Sequence, residues 1–233
     1  LENDIGITGI AKNVELMILR VVPNGDERDK DVALAIRYAV RNGADIINCS
    51  FAKDYMMHPE FIYDAMKEAE SAGVLIIHSA GNESRNHDKK PAFPNGFYGD
   101  GSRAQNWMNI GASNARDSKN MIAYFSNYGK KSVDVFAPGS ELKTTVLNNE
   151  YTFTSGTSIA APVVTGLAAV IKSYYPQLTA AQIRDIIIKS VYKPKTKRVF
   201  IVSRGRFRIS LNRISVSGGI ANLYNAVKMA EEY

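Results

Sequence analysis

Residues 31–77 read DVALAIRYAVRNGADIINCSFAKDYMMHPEFIYDAMKEAESAGVLII, and the order of periodicities in this stretch decides the fold. Val32, Ala35, Ile36 and Ala39 recur at helical spacing up to Asn42, and Gly43 follows as a natural stop. Ala44 to Cys49 is a short apolar run. Pro59 to Ser71 is helical again, with its proline in the first turn, and Gly73 precedes the run Val74-Leu75-Ile76-Ile77. Helix, strand, helix and strand at this pitch imply right-handed crossovers between parallel strands. Such strands are apolar throughout when both faces are covered, and these are.

Working outward, Val14 to Val22 (VELMILRVV) lies between Lys12-Asn13 and Pro23-Asn24-Gly25 and is expected to be a preceding buried strand. Trp107 to Ala112 and Ser132 to Ala137 are expected to be further strands. Between the runs, Gly81 to Arg103 is a long polar, Gly-rich loop of the kind that carries function. Ser158 to Tyr174 is apolar on all sides, which predicts a helix running through the core. Thr179 to Val191 reads as a capped amphipathic helix, and Ile220 to Tyr233 as a terminal one. Neither a repeat nor a linker interrupts the chain. The expectation is one α/β domain over residues 1–233, a mostly parallel central sheet with helices on both faces.

Composition narrows the function classes. Hydrophobic residues make up 45% and charged residues 22%, the balance of an ordinary globular protein and not of a disordered one. No run of about 18 apolar residues occurs, so no membrane span is expected. The opening Leu1-Glu2-Asn3-Asp4 shows neither an initiator Met nor a signal peptide, and the chain reads as beginning inside a longer product. One cysteine, Cys49, excludes an internal disulfide, and its apolar neighbours predict a buried, inert thiol. Formal net charge is +6, with much of the excess in residues 189–213, KSVYKPKTKRVFIVSRGRFRISLNR. That segment alternates apolar and basic residues as a surface hairpin does, and no nucleic-acid partner is expected.

Chemistry enters at Ser155-Gly156-Thr157-Ser158-Ile159-Ala160-Ala161-Pro162. A serine at a helix N-terminus sits beside free backbone N–H groups, at the positive end of the helix dipole. Both favour the negative charge of an acyl-transfer intermediate. Gly156 admits close approach, and Pro162 falls in the first turn, where a missing N–H costs little. Taken alone, Ser158 would be read as a helix cap. The whole string, however, resembles the GTS-x-A-x-P signature around the nucleophile of subtilisin-like serine proteases, the subtilases. Ser79-Ala80-Gly81-Asn82-Glu83 resembles the family's pocket wall and oxyanion asparagine, and Ile47-Asn48-Cys49-Ser50-Phe51-Ala52 its substrate-pairing strand end. Weaker agreement follows in Ser126 to Gly139 and in Gly218-Gly219-Ile220-Ala221-Asn222. The resemblance runs from about Asp4 to Val227.

What this resemblance implies is specific. The fold is the three-layer subtilisin-like α/β fold. Ser158 attacks the scissile carbonyl of a peptide or protein substrate. The Asn82 amide and the Ser158 N–H hold the oxyanion, with Thr157 assisting. Ser50, Phe51 and Ala52 pair with the substrate backbone opposite the wall Ser79, Ala80 and Gly81. Glu83 lies near the pocket mouth, although a solvated carboxylate is its plainer role, and Gly156 leaves room for the substrate. No cofactor or metal is required for the chemistry. Structural calcium is implied for the intact parent, the segment Leu1 to Ile7 offering the Asn3 side chain and the carbonyls of Leu1, Ile5 and Ile7 as part of a loop too poor in ligands to hold the ion alone. Extracellular or periplasmic location is likewise implied.

Two parts of the family pattern do not occur in this chain. The aspartate motif D-[ST]-G and the histidine motif H-G-T-H belong upstream of Asn3 to Ala11, which resembles the loop after the histidine helix. His58, His78 and His87 stand in the wrong contexts to replace that base. The expectation is therefore a chain inactive by itself, completed by an N-terminal segment of the parent or its propeptide. The alternative is a pseudoprotease or peptide-binding scaffold. Cysteine and metallohydrolase chemistry are excluded, since Cys49 has no partner motif and no His-x-x-x-His or Cys-x-x-Cys pair occurs. Lys193 to Ser217 is longer than a compact family member needs and receives no role.

Overall fold

A computed structural model describes residues 5–22, 25–202 and 206–233. Its first helix, α1 (Asp29–Arg41), has Asp29 and Asp31 in the opening turn and Arg41 in the last, the placement that complements the helix dipole. Asp29 also accepts the backbone N–H groups of Met57 and His58 and pairs with Lys53 at 2.6 Å. Burial works against its ionisation, but Lys53 and those two donors hold its carboxyl below the usual carboxylate range. The start of α1 is thereby tied to the start of α2 (Pro59–Ser71).

Four parallel strands form the central sheet in the order β1 (Ile46–Cys49), β2 (Leu75–Ser79), β3 (Trp107–Ser113) and β4 (Val135–Pro138). Alternation along the strands sends side chains into two layers. Leu75, Ile77, Met108 and Ile110 meet α3 (Thr157–Tyr174) and α4 (Ala180–Lys189) through Val164, Leu167, Ile171 and Ile183. Ile76, Trp107 and Cys49 face the opposite way, onto Val32 and Ile36 of α1 and Ile62 and Met66 of α2. The result is a three-layer α/β fold with helices on both faces of a parallel sheet. Asp134, fully buried just before β4, ties its layers together: it pairs with Arg103 at 2.5 Å and Arg184 at 2.9 Å and accepts the N–H of Asn109.

The remaining elements sit around this body. Thr179 caps α4 through a complete capping box with Gln182, and Asn222 caps α5 (Leu223–Ala230). The hairpin expected in the basic segment forms as β7 (Arg198–Val202) and β8 (Arg206–Ser210), and it buries Val199 and Ile201 against Phe136 and Ile214. A second hairpin, β5 (Leu142–Val146) with β6 (Glu150–Thr154), leads into α3. It was not expected from the sequence, where LKTTV and EYTFT lack a clear apolar face.

Three expectations are corrected. Pro162 lies inside α3 and not in its first turn, and the Ser158 carbonyl that its missing N–H leaves open accepts the Ser50 hydroxyl instead. Val14 to Val22 forms no strand, and Leu16 and Ile18 are 79% and 83% exposed, because no neighbouring strand among the described residues pairs with the run. The helix α3 does not run wholly through the core. It buries Ala160, Ala161, Val164, Leu167, Ala168 and Ile171 on the sheet, while Pro162 and Tyr174 face solvent and other positions are half-covered. It is the one described helix long and apolar enough to cross a bilayer, and its apolarity is accounted for by packing on all four strands.

Candidate active site

Three chain segments converge where β1 and β2 end and α3 begins. Ser50, just past β1, donates its hydroxyl to the Ser158 carbonyl at 2.8 Å. Asn48 donates to Ser50 Oγ and accepts from Thr165 Oγ1, so the end of the strand is pinned to the first turns of α3. Ser79, at the end of β2, donates to the Phe51 carbonyl at 3.2 Å, closing the gap between the two strand ends. The Phe51 ring packs edge-on against His78, which is itself stacked near Trp107 at 5.4 Å.

The loop after β2 then turns at Gly81, whose φ of +95° suits glycine, and a Cβ there would meet Asn127 Nδ2 at 2.5 Å. Asn82 follows and caps α3 from outside. Its Oδ1 accepts the Thr157 N–H at 2.9 Å and the Thr157 hydroxyl at 3.0 Å. Thr157 Oγ1 in turn accepts the Gly81 N–H. With its carbonyl oxygen committed, the Asn82 amide must turn its NH2 the other way, toward the side where Ser158 stands. A Cβ placed on Gly156 would lie 2.7 Å from Ser158 Oγ and 3.8 Å from Asn82 Nδ2. Hydroxyl and amide therefore border the same small space, which only glycine leaves open.

Ser158 is the second residue of α3, and Gly156 occupies the N-cap position. The capping role that serine might have taken is filled by Asn82, leaving the Ser158 hydroxyl for other work. The structure thus brings together Ser158, Asn82, Thr157 and Gly156, with Ser50, Phe51 and Ser79 on the flank. Ala80 backs the wall from behind: it is fully buried, its N–H bonded to Ile110 O and its carbonyl to Asn127 Nδ2. Ala52 is half-buried beside Phe51. Glu83 is exposed, 2.6 Å from Asn127 Nδ2 and 3.7 Å from Arg85.

Asn127 is the residue that sequence reading passed over. Its Oδ1 accepts the N–H groups of Glu83 and Arg85, and its Nδ2 serves Ala80 O and Glu83, so one buried side chain shapes the whole Asn82 loop. It lay within the quoted Ser126 to Gly139 stretch, but nothing local marks it, since all its side-chain partners lie 42 or more residues away.

None of the three histidines is hydrogen-bonded to Ser158. His58 pairs with Glu60, and His87 accepts the Ala92 N–H. His78 is buried with neither ring nitrogen partnered. Burial and the nearby His87 push its pKa down to about 3. Burial and Arg85 push that of His87 down to about 4. Cys49 is buried and unpaired, its thiol pushed up to about 12 by desolvation, as its sequence context predicts. No cluster of metal-ligating side chains occurs among the described residues. The expected calcium ligands Leu1 and Asn3 lie outside them.

Comparison with known proteins places this arrangement. The model of the subtilase family matches residues 1–212. The chain belongs to the subtilase family. A thermophilic serine proteinase of Bacillus sp. (strain AK1) is 36% identical over 172 residues, covering 73% of this chain and 39% of that protein. A thermostable alkaline protease of Halalkalibacterium halodurans is 34% identical, covering 80% of this chain and 48% of its own length. This subtilase chain therefore spans less than half of these two curated relatives. In fold, it superposes on a protease from Pseudoalteromonas arctica with a TM-score of 0.74 over 97% of this chain and 66% of that one, at 24% identity. The maturation protease PagA gives 0.70 over 89% of this chain and 69% of its own.

Proposed function

We propose that this subtilase chain forms the nucleophile and oxyanion side of a serine endopeptidase, cleaving peptide bonds through an acyl-enzyme on Ser158. The observation that carries this reading is the space above Gly156, bordered at once by Ser158 Oγ and Asn82 Nδ2. A carbonyl carbon attacked by Ser158 Oγ pushes negative charge onto its oxygen. The Asn82 amide, the Ser158 N–H and the positive end of α3 are fixed donors for that charge. Thr157 positions Asn82 by donating to its Oδ1. Ser50, Phe51 and Ala52, with the wall Ser79, Ala80 and Gly81, bind the extended substrate backbone as an added strand and shape the pocket for the residue before the cut.

A hydroxyl without a base is a poor nucleophile. The histidine and aspartate come, in this reading, from a further segment of the whole protein, and the chain by itself is inactive. In a subtilisin, loss of the triad costs about a millionfold in turnover. The exposed apolar residues Leu16 and Ile18 and the free edge of β1 are the surface such a segment would cover. Calcium, in the same reading, stabilises the assembled protein and takes no part in the chemistry. The whole protein acts, in this reading, in an extracellular or periplasmic compartment, as the family resemblance implies.

The test is labelling by a fluorophosphonate probe. The whole protein is expected to label, and Ser158→Ala to abolish it. Asn82→Ala should lower turnover of a chromogenic peptide about a hundred- to a thousand-fold. Hydrolysis of casein by the 233-residue chain alone, at a rate near that of an intact subtilase, would overturn the requirement for an added base. A whole protein that binds peptide but never labels is the pseudoprotease.

A further inference from the structure

We propose that the groove between residues 114–124 and the β7–β8 hairpin is an accessory subsite for an acidic, aromatic-bearing stretch of the protein substrate. The inference rests on the protease reading and deepens it. The groove encloses about 350 Å³ and is lined by Asn114, Asn120, Ile122, Tyr124, Phe200 and Val202. Tyr124 is 73% exposed, a large apolar surface left in water beside Val202.

Its position follows from the backbone. Phe200 donates its N–H to the Lys119 carbonyl at 2.7 Å, which seats the hairpin against the 114–124 turn. At the other end, the Tyr124 carbonyl accepts the Ser84 hydroxyl at 2.6 Å and the Phe125 carbonyl accepts the Ser84 N–H at 2.8 Å. Ser84 is two residues past Asn82. The groove thus continues from the oxyanion loop, and a chain leaving the cleft on that side meets it.

Charge selects the occupant. Val199 and Ile201 point into the core, so Arg198, Phe200 and Val202 share the outer face of β7. Arg208 is the register partner of Phe200 and stands on that same face. Arg198 reaches across to donate to the Arg208 carbonyl. With exposed Lys119 they give an apolar floor a cationic rim, and no carboxylate lines the groove. The nearby Asp117 is committed elsewhere, accepting from Tyr192 Oη and the N–H groups of Lys195 and Thr196. An aromatic side chain flanked by Asp or Glu matches both features. A polyanion such as heparin would use the rim but not the floor.

The experiment is fluorescence anisotropy of the full 233-residue chain with a labelled peptide of about 12 residues, one Phe between Asp and Glu, against its charge-reversed counterpart. The acidic peptide is expected to bind at least about tenfold more tightly. The Arg198→Ser/Arg208→Ser pair should remove about that factor, two exposed ion pairs of ordinary strength, and leave the thermal unfolding curve in place. Val202→Asp should weaken acidic-peptide binding comparably, by placing a carboxylate on the floor. Equal binding of the two peptides, or variants that bind like the parent chain, would overturn the subsite. So would heparin displacing the peptide with Val202→Asp having no effect, the mark of an unspecific polyanion surface. Failure of the protease reading would look different: peptide preference intact, with no fluorophosphonate labelling of the whole protein.

Discussion

Trp107–Ala112 and Val14–Val22 are both mainly apolar runs that read alike as strands. In the structure, all seven residues of β3 are buried between β2 and β4, while Leu16 and Ile18 stand exposed in a run that forms no strand. The difference lies in their neighbours. A strand is buried by partners on both edges and layers on both faces, and β3 has all four. The same contrast divides α3, whose sheet-facing side is closed and whose outer side is half-covered, with Ile10 resting against Gly166. One flank of this subtilase chain is a finished core; the other presents apolar surface of the kind that marks an interface.

Substitutions can press on that contrast. On the closed flank, Asp134→Ala leaves Arg103 and Arg184 without their buried partner and should destabilise by about 3–5 kcal/mol, read from urea unfolding. Acidification tests the same flank. His78 and His87 are held neutral, with pKa values near 3 and 4 against 6.5 when unfolded. As pH falls below 6.5 the unfolded chain takes up protons first, so stability present at pH 7 is lost downward through pH 4. Between pH 7 and 5 the loss should be on the order of 2 kcal/mol per histidine, and His78→Leu should flatten the slope. A pH-independent urea midpoint across that range would show that these rings stay solvated.

Thr179→Ala, removing the capping box of α4, should cost about 1 kcal/mol. On the open flank, Ile18→Ser should change the stability of this chain by less than about 0.5 kcal/mol. In the whole protein the same change should cost about 2 kcal/mol, the burial of one large aliphatic side chain. Equal small effects in both would mean that nothing covers the flank.

Much of this was legible from residues alone. The spacing of Val32, Ala35, Ile36 and Ala39, the pattern of Pro59 to Ser71 and the runs Ala44–Cys49 and Val74–Ile77 produced α1, α2, β1 and β2 with ends at most two residues away. Thr179 announced its helix, and the alternation within residues 189–213 announced a hairpin. The motif at Ser158 brought the candidate site with it. Other features left no local trace. Asn127 looks like any loop asparagine, and the β5–β6 hairpin lacks the alternation that marks a half-buried strand.

The sequence by itself determined the alternation of helices and strands and which residues to examine as a candidate site, because periodicity and short motifs are properties of neighbouring residues. The tertiary structure alone decided which apolar runs are covered, and that Asn82, not Ser158, caps α3. Each of those outcomes depends on partners many residues distant, whose approach is set by packing and not by local preference.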